Sequence, residues 1–128
     1  MAKEKIFYVV GKHQYKVRIK VRVYINNGNM FIGLVSDNRA QESFADITVN
    51  LDHIMAPFQA CINNYGPGQE DAIDFLERYG LATPTGQIFD SGFVSVPVYQ
   101  FDMEKLKELD PQGVENYLKV IERRKAEK

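Results

Sequence analysis

Residues 15–25 read Tyr15-Lys-Val-Arg-Ile-Lys-Val-Arg-Val-Tyr-Ile25. Apolar and polar residues alternate through the whole stretch. Side chains alternate across a strand, so Val17, Ile19, Val21, Val23 and Ile25 share one face. Lys16, Arg18, Lys20, Arg22 and Tyr24 share the other. An apolar row this long has to be buried, whereas the basic row has to meet water or a partner. A strand with one dry face belongs to an antiparallel sheet covered on one side.

The next residues extend that strand into a hairpin. Asn26-Asn-Gly-Asn29 interrupts the pattern and Met30–Val35 resumes it. Asn-Gly between apolar runs suits a tight turn, because both central residues need positive φ. With Asn27-Gly28 central, Ile25 faces Met30, Val23 faces Ile32 and Val21 faces Leu34. On the basic face Tyr24 lies opposite Phe31, and Arg22 lies opposite Gly33. If the following hairpin closes symmetrically, Asp46 falls opposite Gly33.

The remaining elements follow from the same periodicities. Ile6–Val10 is a short strand, turned into the long one by Gly11-Lys-His13. Ser36–Gln41 is a polar turn. Phe44–Leu51 alternates, with Ile47, Val49 and Leu51 inward and Asp46, Thr48 and Asn50 outward. Phe58–Ile62 and Phe93–Phe101 read as strands whose Pro57 and Pro97 favour sheet edges. Gln69–Tyr79 reads as a helix with acidic residues in its first turn and Gly80 just past its end. Thr83–Gly92 reads as a long, turn-rich loop. Asp102 caps a helix through Leu109, and Asp110-Pro111 opens the last one. There Val114, Tyr117, Leu118 and Ile121 form an apolar stripe. The expectation is a single α+β domain over residues 1–128, an antiparallel sheet of four to five strands with helices packed on one face.

Composition narrows the function classes. The chain has 128 residues, 16 basic and 17 acidic, for a formal charge of −1. This argues against a histone-like binder and against a strongly acidic DNA mimic, but leaves room for a local patch. Cys61 is the single cysteine, so no internal disulfide can form. No apolar run approaches the roughly 20 residues that span a bilayer. The charged N-terminus lacks the apolar core of a signal peptide. A cytoplasmic location, with no membrane association, is expected.

Three stretches together carry a resemblance. They are Tyr24–Ser36, Phe44–Leu51, and Tyr79-Gly-Leu-Ala-Thr-Pro-Thr-Gly86 continuing to Ser91-Gly-Phe93 and Tyr99-Gln-Phe-Asp102. The chain resembles a family of small uncharacterised bacterial proteins, a domain of unknown function, over roughly residues 15–109. The last helix is the least familiar part. Its members resemble accessory cargo of plasmids, conjugative elements and phages of gut Firmicutes. The resemblance implies a role of the kind such cargo performs: regulating transfer, or blocking a host defence of the CRISPR or restriction type. It implies no catalytic residues.

The chemistry-bearing residues support binding over turnover. Lys16, Arg18, Lys20 and Arg22 recur every ~6.7 Å along the strand, a spacing able to track phosphates. Tyr24 and Phe31 on the same face could stack a base or anchor a protein contact. Arg18, Lys20, Arg22, Tyr24 and Phe31 are therefore the candidate binding residues. The plainer alternative is a solvated face with cross-strand ion pairs. Gly33 either admits a ligand, marks a bulge or makes room for Tyr24 and Arg22. Glu70, Asp71, Asp74 and Glu77 read as a solvated acidic helix face, with Asp74 paired to Arg78. Cys61 reads as a core residue, and with His53 lacks the acid and oxyanion donors of a nucleophilic site. His13 reads as an exposed turn residue. Gly66-Pro-Gly68 lacks a P-loop lysine and is a helix-introducing turn. Ile88 and Phe89 either tuck under their loop or serve function there.

The expected protein is non-enzymatic, with no metal and no cofactor. Its expected partner is a host or element protein, such as a nucleic-acid-processing defence complex. Direct binding of nucleic acid or a nucleotide signal by the basic face is the alternative, and an edge-to-edge dimer a third.

Overall fold

A computed structural model describes residues 6–38, 40, 42–51, 53–63, 71–90 and 95–126. The elements in chain order are β1 (Ile6–Val10), β2 (His13–Val23), β3 (Met30–Ser36), β4 (Ser43–Asp46), β5 (Thr48–Val49) and β6 (Gln59–Ile62). Then come α1 (Asp71–Arg78), β7 (Ala82–Asp90), β8 (Ser95–Phe101), α2 (Met103–Leu109) and α3 (Pro111–Ala126). The class is α+β. The strands form two four-stranded antiparallel sheets, ordered β1-β2-β3-β4 and β5-β6-β8-β7, where one sheet was expected.

The second sheet exists because the chain changes sheets at Ile47. This residue is fully buried, donates its N–H to Ile32 O at 2.9 Å, and accepts from Asn63 N–H at 2.8 Å. One residue thus bridges β3 of the first sheet to the end of β6 in the second. The crossover turns Thr48 inward, against the expectation that it faces out. Its burial is tolerated because its hydroxyl accepts the Ile32 N–H at 3.1 Å.

β2 buries Val17, Ile19 and Val21 with Ile6 and Tyr8 of β1 and Met30, Ile32 and Leu34 of β3. The helices add Ala72, Phe75, Leu76, Leu106, Val114, Tyr117 and Ile121 to this core, and the second sheet adds Ala60, Ile62, Tyr99 and Phe101. The opposite face of the second sheet holds a smaller cluster of Met55, Cys61, Val96 and Val98, flanked by Val49, Leu51 and Phe89.

The β2–β3 register departs from the expected one by two residues. Val23 pairs with Met30, Arg22 with Phe31, Val21 with Ile32 and Lys20 with Gly33. A two-residue shift keeps every side chain on its face. It lengthens the connection to residues 24–29, closed by Tyr24 N–H to Asn29 O at 2.9 Å and Gly28 N–H to Tyr24 O at 2.8 Å. Ile25 loses its place opposite Met30 and stands fully exposed. The cause is Asn29, buried in this loop, whose side chain bonds His53 O at 2.7 Å and Met55 N–H at 2.9 Å. A minimal turn at Asn27-Gly28 would break that tether. Asp46 does lie opposite Gly33.

Prolines and glycines account for the other differences. Thr83–Asp90, expected as loop, lies within β7, the edge strand of the second sheet. Its turn-forming residues make a bulge between Pro84 and Ile88, with Gly86 at φ +88° and the Thr85 hydroxyl bonded to Val98 O at 3.0 Å. β6 and β8 are interior strands, against the edge positions expected from Pro57 and Pro97. Pro57 precedes β6, and the β6–β8 ladder ends at Val98, so neither proline interrupts that pairing. His13 is an exposed residue at the start of β2, immediately after the turn. Gly66-Pro-Gly68, Glu70 and residues 91–94 lie outside the described residues.

The helix ends match their signals. The Asp102 carboxylate accepts from the N–H groups of Glu104 and Lys105. Gly80, at φ +62°, ends α1 with Leu81 N–H on Leu76 O at 2.9 Å and its own N–H on Glu77 O at 3.2 Å.

Candidate functional site

The candidate residues lie on the outer face of the first sheet, opposite its core. The buried side chains of the three helices join the inner core. On the outer face Lys16, Arg18 and Arg22 are exposed, and Lys20, Tyr24 and Phe31 are partly so. Alternation places Phe7 and Val9 of β1 and Val35 of β3 there too, each half-buried. The register sets Phe7 beside Lys16, Val35 beside Arg18 and Phe31 beside Arg22. The sequence expectation missed these apolar members, because a short or half-buried strand carries a weak two-sided signal.

Three of the four cations are already paired. Arg18 Nε donates to Asp37 Oδ1 at 2.7 Å, and Lys16 Nζ lies 3.4 Å from Asp37 Oδ2. The adjacent Arg18 guanidinium, helped by Lys16, holds the Asp37 carboxyl below its ordinary range. Asp37 is anchored for this role, since its N–H bonds Lys16 O at 3.1 Å as the β2–β3 ladder runs out. Its only sequence signal was its position just beyond β3, which needs the correct register to interpret.

Arg22 is held from elsewhere. Its Nη1 donates to Val21 O at 2.8 Å and lies 3.4 Å from Asp110 Oδ2. Asp110 caps α3 through Oδ1, which accepts Gly113 N–H at 3.2 Å, while Oδ2 accepts Val21 N–H at 2.9 Å. β1 pairs with β2 only as far as Val17. The Asp110 carboxylate therefore also satisfies part of the β2 edge that β1 leaves open.

Lys20 has no ion-pair partner among the described residues. It stands opposite Gly33, over which the Phe31 ring lies: a Cβ at Gly33 would fall 2.8 Å from Phe31 Cε1 and Cζ. Gly33 thus makes room for an aromatic ring, Phe31 in place of Tyr24 or Arg22. The Tyr24 ring meets Phe31 edge-on, with centroids 5.4 Å apart at 82°. Tyr24 hydroxyl and Thr48 Oγ1 are 3.2 Å apart. Burial pushes the Tyr24 hydroxyl above its ordinary pKa, against the opposing Thr48 hydrogen bond. Tyr24 is therefore a neutral buttress whose polar end is turned inward, and Phe31 is the aromatic presented outward.

The other chemistry-bearing groups lie apart from this face. Cys61 is buried in β6, its thiol pushed up to about 11 by desolvation, so it is a poor nucleophile at neutral pH. His53 is exposed with its ring 4.8 Å from Phe89. Phe89 packs on the smaller cluster while Ile88 is exposed. Asp74 pairs with Arg78 at 2.9 Å. Among the described residues no three His, Cys, Asp or Glu side chains cluster in a metal-binding arrangement. Among them, too, no helix is long and apolar enough to cross a membrane.

Comparison with known families matches the chain to "Domain of unknown function (DUF4313)" over residues 18–121. The chain belongs to the DUF4313 family. The match runs from within β2 almost to the end of α3. It therefore takes in Asp37 and Asp110, and most of the final helix. Neither curated proteins nor solved structures give a match.

Proposed function

We propose that this DUF4313 protein acts by binding, and that the outer face of its first sheet meets an acidic, partly apolar surface of a protein partner. One observation carries the reading. Lys20, without an ion-pair partner among the described residues, stands opposite Gly33, over which the Phe31 ring lies, on a face shared with Phe7, Val9 and Val35. An aromatic anchor amid half-buried apolar side chains with a central cation suits a protein contact. A phosphate-tracking row needs several free cations in series. Here Lys16, Arg18 and Arg22 already have carboxylate partners. That favours protein over direct nucleic-acid or nucleotide binding.

The proposed setting is that of accessory cargo on a bacterial plasmid, conjugative element or phage, acting in the cytoplasm. The partner is then a host or element protein, and inhibition of a defence complex of the CRISPR or restriction type is the activity to test. No catalytic step and no cofactor enter this reading.

The test is affinity capture from a bacterial host lysate, with and without nuclease, using wild type, Lys20→Glu and Phe31→Ala. A nuclease-resistant protein captured by wild type, with at least tenfold less captured by both folded variants, is expected. Equal capture by all three would reject the outer face as the binding surface. Capture of nucleic acid alone, lost on nuclease treatment, would reverse the choice of partner class.

A further inference from the structure

We propose that Asp37 is a specificity-determining residue: it occupies Lys16 and Arg18 as a built-in counter-ion and so keeps the basic row from binding nucleic acid. The inference deepens the proposed function and rests on the outer face being the binding surface.

The geometry of Asp37 is that of a fixed clamp. Its two oxygens are divided between the cations, Oδ1 on Arg18 Nε at 2.7 Å and Oδ2 on Lys16 Nζ at 3.4 Å. Its side chain is 18% exposed, whereas those of Lys16 and Arg18 are 41% and 50% exposed. The carboxylate is thus the sheltered member and the cations are the outer ones. Its backbone N–H is tied to Lys16 O, so the clamp cannot drift from the strand. Beside it, Ser36 N–H bonds Glu42 O at 2.8 Å and Glu42 N–H bonds the Ser36 hydroxyl at 3.1 Å, which brace the turn.

Without Asp37, β2 would present Lys16, Arg18 and Lys20 in a line at phosphate-tracking intervals, with Phe31 beside them to stack a base. That is the surface of a single-strand binder. With Asp37 in place, a phosphate approaching Arg18 meets a fixed negative charge one side chain away. Binding also releases fewer of the cations condensed on the strand, because Lys16 and Arg18, already paired with Asp37, neutralise fewer phosphates. Specificity achieved by penalising the wrong partner costs little here, since an exposed ion pair contributes little to stability. Asp110 does not serve the same purpose, because its carboxylate is committed to α3 and to Val21.

The experiment is fluorescence-anisotropy titration of a labelled single-stranded oligothymidylate across a salt series, with the full-length protein. Asp37→Asn keeps the backbone bond and the side-chain volume. It is expected to bind at least tenfold more tightly than wild type at low salt, and the log–log salt slope should steepen by about 1.4, two phosphate contacts' worth. Glu108→Gln on α2 makes the same charge change away from the face and should leave binding at the wild-type level. Adding Lys16→Gln and Arg18→Gln to Asp37→Asn should restore the wild-type level. Unchanged affinity in a folded Asp37→Asn protein would overturn the proposal, as would an equal gain in Glu108→Gln. If Asp37→Asn does not fold, Lys16→Gln/Arg18→Gln in the wild-type background decides: no change in oligonucleotide affinity is expected, and a loss would show that the two cations were free to bind. Because no protein partner is used, this test can fail while the acidic-protein reading stands, and the capture experiment can fail while this one succeeds.

Discussion

The ring of Phe31 lies over Gly33, two residues further along the same face of β3. A Cβ at position 33 would meet the far edge of that ring, 2.8 Å away. Phe31 is therefore held on a seat that only glycine leaves open, beside Tyr24 and opposite Arg22.

Gly33→Ala should displace the ring while sparing the fold. The atoms met are the end of a side chain that can swing toward solvent, so the stability change should stay within about 1 kcal/mol. The Tyr24–Phe31 ring contact should be lost, read as the disappearance of their cross-ring NOE. Retention of the NOE would mean that the ring is not seated there.

Gly113→Ala should act against helix propensity. In an ordinary helix interior the change stabilises by about 1 kcal/mol. Here a Cβ would fall 2.5 Å from Val21 O and collide with Asp110 Oδ2. Neither the strand backbone nor the capping carboxylate can move freely, so a loss of about 2 kcal/mol is expected. Asp110→Ala should cost a similar amount, by removing the α3 cap and the Val21 acceptor together. Urea unfolding checks both, and a stabilised Gly113→Ala would contradict the close approach of α3 to β2.

Asn29→Ala should be among the more damaging polar substitutions. It strips the acceptor from Met55 N–H and the donors from His53 O and Asn50 Oδ1. Leaving the buried Met55 N–H without its acceptor, together with the other losses, should cost about 2–4 kcal/mol. Hydrogen exchange at the Met55 amide should speed up well before global unfolding. Protection equal to wild type would show that the tether is not what holds residues 50–55.

Alkaline stability should carry the signature of Cys61. Its thiol ionises at about 11 in the folded chain against an ordinary value of 9.0. Between those values the unfolded chain holds fewer protons than the folded one, so stability falls as pH rises from about 9 through about 11. Tyr24, Tyr99 and Tyr117, all raised chiefly by burial, add to the fall at higher pH. Urea midpoints at pH 8 and about pH 9.5 isolate the thiol. Wild type should lose stability across that interval and Cys61→Ala should lose less, and equal losses would contradict a desolvated thiol.

Much of this architecture could be read along the chain because it depends on local periodicity. Alternation identified both faces of β2, including every member of the basic row. Asp102, Asp110-Pro111 and Gly80 marked helix ends, because capping involves residues only a few positions apart. What escaped were relationships between distant segments. Pro84, Thr85 and Gly86 carry the same local preferences in a loop and in a bulged edge strand, and only the presence of β8 beside them selects the strand. The candidate residues were named from β2 and the hairpin that follows it, so Phe7 and Val9 of β1 and Val35 of β3, which share that face, were not among them.

By itself, then, the sequence determined which side of β2 is dry, where α2 and α3 begin and α1 ends, and that no internal disulfide can form. Those properties follow from side-chain alternation, capping chemistry and composition, none of which needs a neighbour from far along the chain. Tertiary structure alone decided that Asn29 outcompetes a minimal Asn-Gly turn, that Ile47 carries the chain between sheets, and that Asp37 and Asp110 neutralise most of the basic row. Arg18 and Asp37 are 19 residues apart, and Arg22 and Asp110 are 88 apart. A pattern of charges shows where cations are, but only packing decides which carboxylate reaches them.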